Sequence, residues 1–428
     1  MKERAKLILR WSEKYTKTDM TYLAKGGFWL FFGQAAATLT SFLSAYIFAN
    51  YLDKTTYGTY RFAFSISAII GIFSLTGFGI SLIRSASRGY DGSLKHAYEK
   101  SLKWHFLVVI ISVIGAGYYF YQENYGLAFS YIVIGFTIPF VNSASFHNAF
   151  LSGKKLFKES GIYWVMGNTV AVGAAVITAV LTKNPYAMIG AYFITNAITQ
   201  YLIFKEVVQK FTQNDDIENG SLRYGFHLSA MGALDTLANH LDKALLFHYL
   251  GAAEVALFYF ALAIPDQMKG VFKSVTRLAL PKFAEKELQT VMVGLYGKIA
   301  RYGVLVIFST IAYIVAAPYI FKWFFPAYID MVGYSQILSV ASVMIIGTIP
   351  IAVLQANAKK EYLYANSFLV SGTQIILTFF FIRSYGLKGA VIAYLCNRTI
   401  SLIVPLGLLY VAHRKSLGDQ KSLPQTND

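Results

Sequence analysis

Charge is scarce in this chain. Lysine, arginine, aspartate and glutamate together make up 14% of its 428 residues, against about 25% in ordinary soluble domains. Cysteine is almost missing. A single one, Cys396, excludes an intrachain disulfide framework and a paired-cysteine metal site. No connection between apolar runs exceeds about 25 residues, too short for a soluble domain. The sequence has no Gly-x-x-x-x-Gly-Lys-Ser/Thr phosphate loop, no His-Glu-x-x-His and no Gly-x-Ser-x-Gly. ATP-driven pumping, zinc hydrolysis and serine hydrolysis by this chain are therefore not expected, and neither is a cofactor or a bound metal. What remains is apolar: 56% of residues are hydrophobic and 16% aromatic, with 34 Phe and 31 Tyr. So little polar material cannot cover a soluble surface, and the composition is that of a multi-pass membrane protein.

A spanning helix takes about 20 mostly apolar residues. Twelve such segments are expected, over 26–51, 60–83, 103–121, 126–150, 161–182, 186–207, 224–250, 255–276, 299–320, 331–356, 363–383 and 387–412. The first is far longer than the apolar core of a cleaved signal. The net charge of +16 is mostly a topology signal. Of the 38 Lys and Arg residues, 30 fall on the side of the N-terminal tail, six on the opposite side, and Lys243 and Arg398 within spans. The positive-inside rule then puts both termini in the cytoplasm. A nucleic-acid partner is not expected, because no basic run lies in a soluble domain.

An internal repeat runs through the chain. Shifted by 198 residues, Lys25–Ile66 lies on Arg223–Ile264 without a gap, and twelve of 42 positions are identical. Both copies start from the same side, so the repeat is parallel. The expected fold is all-α, with two pseudo-symmetric six-helix lobes, residues 1–213 and 214–428, around a central cavity.

Span seven carries the most polar face. At about 100° per residue, Asp235, Thr236, Asn239, Asp242 and Lys243 fall on one half of the helix and leucines on the other. Such a half lines water or packs on other polar helices. Charge near the bilayer midplane costs at least ~2.5–3.5 kcal/mol per residue. Lys243 is therefore either neutralised by Asp242 or Asp235, or exposed to a hydrated cavity. On span one, Gln34, Thr38 and Ser41 form a stripe at i, i+4 and i+7. Span eight carries Asp266, then Lys269, Lys273 and Arg277 down one face. Lys269 can pair with Asp266 one turn away, and Arg277 can snorkel to the headgroups. Arg398 lies near the middle of span twelve, either paired with Asp266 or Asp235 or free to take a phosphate. Arg61 and Arg84, at the ends of span two, read as headgroup anchors.

Several of these segments resemble the Wzx-type oligosaccharide flippases of the multidrug/oligosaccharidyl-lipid/polysaccharide exporter superfamily. They are Tyr51-Leu52-Asp53-Lys54-Thr55-Thr56-Tyr57-Gly58, Gly77-Phe78-Gly79-Ile80, Leu241-Asp242-Lys243-Ala244-Leu245-Leu246 with Tyr249-Leu250-Gly251, and Leu280-Pro281-Lys282. Asn50 and Asp53-Lys54 depart from that family's pattern, where Arg and a Gly-Pro pair are common. The resemblance implies two six-helix bundles that move a polyprenyl-diphosphate-linked oligosaccharide across a bacterial cytoplasmic membrane by alternating access, driven by an ion gradient. It implies no enzyme activity. Lys243, Lys269, Lys273 and Arg398 could serve the diphosphate. Gln34, Thr38, Ser41 and Asn239 suit sugar hydroxyls. Asp235, Asp242 and Asp266 could bind a coupling proton or sodium ion. Membrane lipids and other polysaccharide-assembly proteins are the remaining expected partners. The competing expectations are a cation-coupled multidrug-type exporter of the same superfamily and, further off, an oligosaccharide polymerase or ligase. The first would favour an acidic cavity, and the second needs a large outer loop.

Overall fold

The computed structural model describes residues 20–284, 292, 295–356 and 360–421. They are helical nearly throughout, and no strand occurs among them. In chain order the helices are α1 (Met20–Tyr51), α2 (Lys54–Ile70), α3 (Phe78–Ser87), α4 (Ser93–Trp104), α5 (Phe106–Tyr121), α6 (Tyr125–Ala144), α7 (Phe146–Gly153), α8 (Phe157–Thr182) and α9 (Pro185–Phe211). There follow α10 (Ser221–Leu250), α11 (Ala252–Ala284), α12 (Leu295–Phe324), α13 (Val332–Val340), α14 (Thr348–Ala356) and α15 (Lys360–Lys421). All twelve expected segments are helical apart from short breaks.

Among the described residues, eight helices are long and apolar enough to cross a membrane. A ninth crossing arises if the bent pair Lys54–Ser74 and Phe78–Ser87 is one span. The longest of the eight, Glu361–Lys415, holds two expected spans and breaks at Gly386. There φ is +58° and ψ −133°, a conformation in which any Cβ would be strained. Beside single-residue interruptions at His105 and Ser145, two longer breaks were not anticipated. Span two is interrupted at Gly71–Ser74 by a 3-10 turn that ends on Leu75 in the left-handed region. Span ten passes through a 3-10 stretch at Ala341–Gly347 before α14 begins. Pro350 lies in the first turn of α14, where its missing N–H costs nothing.

The repeat is visible in the helix limits. Helix α2 starts at Lys54 and α11 at Ala252, an offset equal to that of the sequence alignment. Local chemistry fixes several starts. Asp53 caps α2, accepting hydrogen bonds from Thr56 N at 2.9 Å and Thr56 Oγ1 at 2.6 Å. Asn124 caps α6 and Asn184 caps α9, the latter followed by Pro185 at the first helical position.

The chain divides into two compact units, Met1–Tyr51 with Ile70–Gly232 and Leu52–Ile69 with Ala233–Asp428. The first is built on a core of Phe78, Leu82, Leu94, Phe146, Phe150 and Val207. In the second, α2 joins the later helices. Gly58 of α2 meets α11 so closely that a Cβ would fall 1.7 Å from the Ala252 carbonyl oxygen. Only glycine fits that crossing. Phe62 stacks on Phe247 at 3.8 Å, and Tyr57 and Tyr328 close around Phe260 at 5.1 and 3.9 Å. Outward faces stay apolar: Val304, Phe308, Ile311 and Val315 on α12 are exposed at helical spacing, as a lipid-facing stripe requires.

Candidate functional site: a cationic cavity in the second unit

The second unit encloses a cavity of about 740 Å³ lined by α2, α10, α11, α14, both arms of α15 and the Ala341–Gly347 turn. Seven of the residues singled out by the sequence meet there: Asp235, Asn239, Asp242, Lys243, Asp266, Lys269 and Arg398. Thr38 and Ser41 lie on α1 and are not among the residues that line it. The side chains of Gln34, Lys273 and Arg277 lie outside the described residues.

Each carboxylate has its own arrangement. Asp235 accepts hydrogen bonds from Ser371 at 2.5 Å and Ser367 at 3.3 Å, both on the first arm of α15. Its backbone carbonyl takes the Asn239 amide at 2.7 Å. Asp242 holds the Lys243 ammonium with both oxygens at 2.9 Å. Of the two partners open to Lys243, the structure therefore selects Asp242. Asp266 lies 2.5 Å from Lys269, with the acid 50% exposed and the lysine 17%. Tyr394 joins this pair: Lys269 donates to its hydroxyl, which donates on to Asp266 at 3.3 Å.

Arg398 is different. Among the described residues no carboxylate lies within ion-pair distance of it, and its Nε is buried without a hydrogen-bond acceptor. Its guanidinium rests on the Tyr394 ring, 4.8 Å from the centroid, while Lys269 lies 4.9 Å from the same centroid. One aromatic ring thus spaces two cations, each attracted to its quadrupole. The pairing of Arg398 with Asp266 or Asp235 that the sequence left open is not adopted.

Four cations and three carboxylates face the cavity, so its wall carries a positive balance. Arg61 is the fourth cation and was expected as a headgroup anchor. It instead stacks on Tyr259 at 3.4 Å inside the lining. The polar residues of α15 were also missed: Asn366, Ser367, Ser371 and Gln374 on one arm, Tyr394, Asn397 and Ser401 on the other. A signal existed. Ser367, Ser371 and Gln374 recur at i, i+4 and i+7, the same stripe that Gln34, Thr38 and Ser41 make on the first span. Gln374 donates to the Ala238 carbonyl at 2.9 Å and ties that arm to α10.

Such a site can bind an anion with planar and point-charge donors together and can present amides and hydroxyls to a polar head. Among the described residues, no group of three His, Cys, Asp or Glu side chains is arranged to hold a metal ion.

Residues 23–285 match the profile of a family described as polysaccharide biosynthesis protein. No curated protein matches the chain by sequence. The fold is similar to that of the lipid II flippase MurJ in an inward closed conformation, at 14% identity and TM-score 0.67, over 91% of this chain and 87% of that one. An outward-facing multidrug resistance MATE family transporter of the MOP superfamily aligns at 17% identity and TM-score 0.62, over 91% and 97% of the two chains. A MOP superfamily transporter from Pyrococcus furiosus, described as having a binding pocket of reverse polarity, aligns at 16% and 0.63, over 92% and 95%. At these identities the likeness is one of fold.

Proposed function

The chain belongs to the polysaccharide biosynthesis protein family, and from that premise we propose that it is a flippase of the MOP superfamily. Its substrate is a polyprenyl-diphosphate-linked oligosaccharide, carried across a bacterial cytoplasmic membrane by alternating access coupled to a proton or sodium gradient. Both termini lie in the cytoplasm. The two duplicated halves are residues 1–213 and 214–428.

The observation that carries this reading is the cation excess of the cavity together with Arg398, which faces it without a carboxylate. A diphosphate needs donors in a partly dehydrated place, and Arg398, Lys269 and Lys243 supply them. Asn239, Asn366, Ser367, Ser371 and Gln374 supply hydrogen bonds for sugar hydroxyls. The lipid tail can stay in the bilayer, so the cavity need admit only the polar head. Asp235, Asp242 and Asp266 are the places for a coupling cation. Lys273, Gln34, Thr38 and Ser41 join the substrate path on the sequence pattern alone. A cation-accepting drug exporter would instead favour an acidic cavity.

The test is translocation in proteoliposomes loaded with a polyprenyl-diphosphate-linked oligosaccharide, read by exposure of the sugar to an external lectin. The protein accelerates exposure, and Arg398→Gln reduces the rate at least about tenfold, a loss of ~1.4 kcal/mol or more, with an unchanged elution profile. Movement of a lipophilic cation without movement of the lipid-linked sugar would replace this reading by the drug-exporter one.

A further inference from the structure

The three lysine and arginine side chains offered to the diphosphate are not equally available. Arg398 has no carboxylate at ion-pair distance among the described residues. Lys269 is already occupied by Asp266 at 2.5 Å. The occupant is an unusual one. It comes from the same helix, one turn away, so the ion pair itself joins no two helices; its tie to the second arm of α15 runs through the Tyr394 hydroxyl. Half of its side chain faces open space while the lysine is mostly covered. An acid placed there to secure packing would be buried with its partner, as Asp91 is with Lys154 in the first unit.

We propose that Asp266 is an internal stand-in for one phosphate of the substrate, displaced from Lys269 when a diphosphate enters. This rests on the reading of the cavity as a diphosphate site. The first phosphate docks on Arg398 without competition. The second takes Lys269 and expels the Asp266 carboxylate into the cavity. Tyr394 makes the exchange local. Its ring holds both cations at nearly equal distance, and its hydroxyl already bridges Lys269 and Asp266. The lysine need not move far to trade one oxyanion for another. No bond is made or broken; a carboxylate contact is exchanged for a phosphate contact.

Two consequences distinguish this from a plain cation cluster. Asp266 penalises the two-phosphate ligand more than the one-phosphate ligand, because only the former needs Lys269. The carboxylate also returns to Lys269 as the diphosphate leaves, which favours release over retention.

The experiment uses the full chain in lipid nanodiscs, with inorganic pyrophosphate and inorganic phosphate as probes in calorimetric titrations. Asp266→Asn should tighten pyrophosphate about fivefold, the upper end of what a partly exposed ion pair is worth. It should change phosphate affinity less than about twofold. In a Lys269→Gln background, Asp266→Asn should have no effect on either probe. If the gain persists in that background, or is equal for both probes, Asp266 acts only through its long-range field and the proposal is overturned. If no variant binds pyrophosphate while all elute as folded protein, the diphosphate reading of the cavity falls, and the proposal with it. A readout on unmodified protein guards against a variant that does not fold. Infrared difference spectra should show a carboxylate band shift on adding pyrophosphate and none on adding phosphate; the same spectrum for both overturns the exchange.

Discussion

Two Asp–Lys pairs, one in each unit, show how the same residue types serve opposite ends. In the first unit Asp91 is fully buried, and the Lys154 ammonium lies 2.6 and 2.7 Å from its two oxygens. The carboxylate also accepts from the Gln213 backbone at 2.8 Å, and Asn214 accepts from the Asp91 N–H and donates to the Gly89 carbonyl. Glu218 adds Ser85 at 2.7 Å and Arg88 at 2.8 Å. This network pins the segment after α9 to the turn between α3 and α4. Its partners come from distant parts of the chain, so it organises tertiary structure. In the second unit Asp266 and Lys269 are neighbours on one helix, the acid is half exposed and a cavity lies in front of them. The lesson concerns closure. A buried charge pair tied to segments distant in sequence is spent on folding, while a pair that faces open volume remains available to a ligand.

The largest test of that contrast is to break the closed pair. Asp91→Ala leaves the mostly covered Lys154 without its counter-ion. Loss of about 3–5 kcal/mol is expected, seen as a fall in folded, detergent-extractable protein. If Asp91→Ala is as stable as the parent, the distinction between closed and open pairs fails.

The open pair should respond in activity rather than abundance. Lys269→Gln should abolish lipid-linked sugar translocation and Lys269→Arg should retain part of it, both at normal membrane levels. The double variant Asp266→Asn with Lys269→Gln removes both charges. It should fold and remain inactive, because the charge at 269 itself is used. Normal transport by the double variant would make this pair structural as well.

A chemical probe sharpens the same boundary at smaller cost to the protein. In a Cys396→Ala background, Asn239→Cys should react with a water-soluble thiol reagent and Ala238→Cys should not. Asn239 is exposed to the cavity whereas Ala238 is fully covered. Equal labelling would show that Asn239 does not face a hydrated cavity.

The smallest expected effect lies at the helix start outside the cavity. Partial burial alone would raise the Asp53 carboxyl, but the hydrogen bonds from Thr56 outweigh it and hold the group below the usual carboxylate value. A lowered folded value means that the cap contributes fully above the ordinary range, and that this contribution fades as pH falls through the folded value. Asp53→Ala should cost about 1 kcal/mol at neutral pH. The difference in thermal midpoint from the parent should shrink under strongly acidic conditions. A gap that widens on acidification would contradict the cap.

Much of this could be read before any coordinates. Low charge and long apolar runs allow only helices in a bilayer, since each backbone group must find its partner within its own segment. That constraint makes each long apolar run a helix, and the starts of α2 and α11 differ by the same 198 residues as the sequence repeat. The polar half of span seven had to face something other than lipid. The same periodicity, applied to Ser367, Ser371 and Gln374, would have added the first arm of α15. What the sequence left open were choices among partners. Asp242 and Asp235 were both in reach of Lys243, and helical geometry alone could not rank them. Arg398 could pair with either of two acids, and Arg61 read as a headgroup anchor because position along a span says nothing about which face meets protein. Only packing decided these. Gly58 lets α2 meet α11 at backbone distance and so brings Arg61 to Tyr259. The turn at Gly386 folds one long helix into two arms, which place Ser371 on Asp235 and Tyr394 between Lys269 and Arg398. Side-chain periodicity is a property of one helix, whereas the partner of a buried charge depends on where the next helix comes back, and that is set by breaks and close contacts remote in sequence.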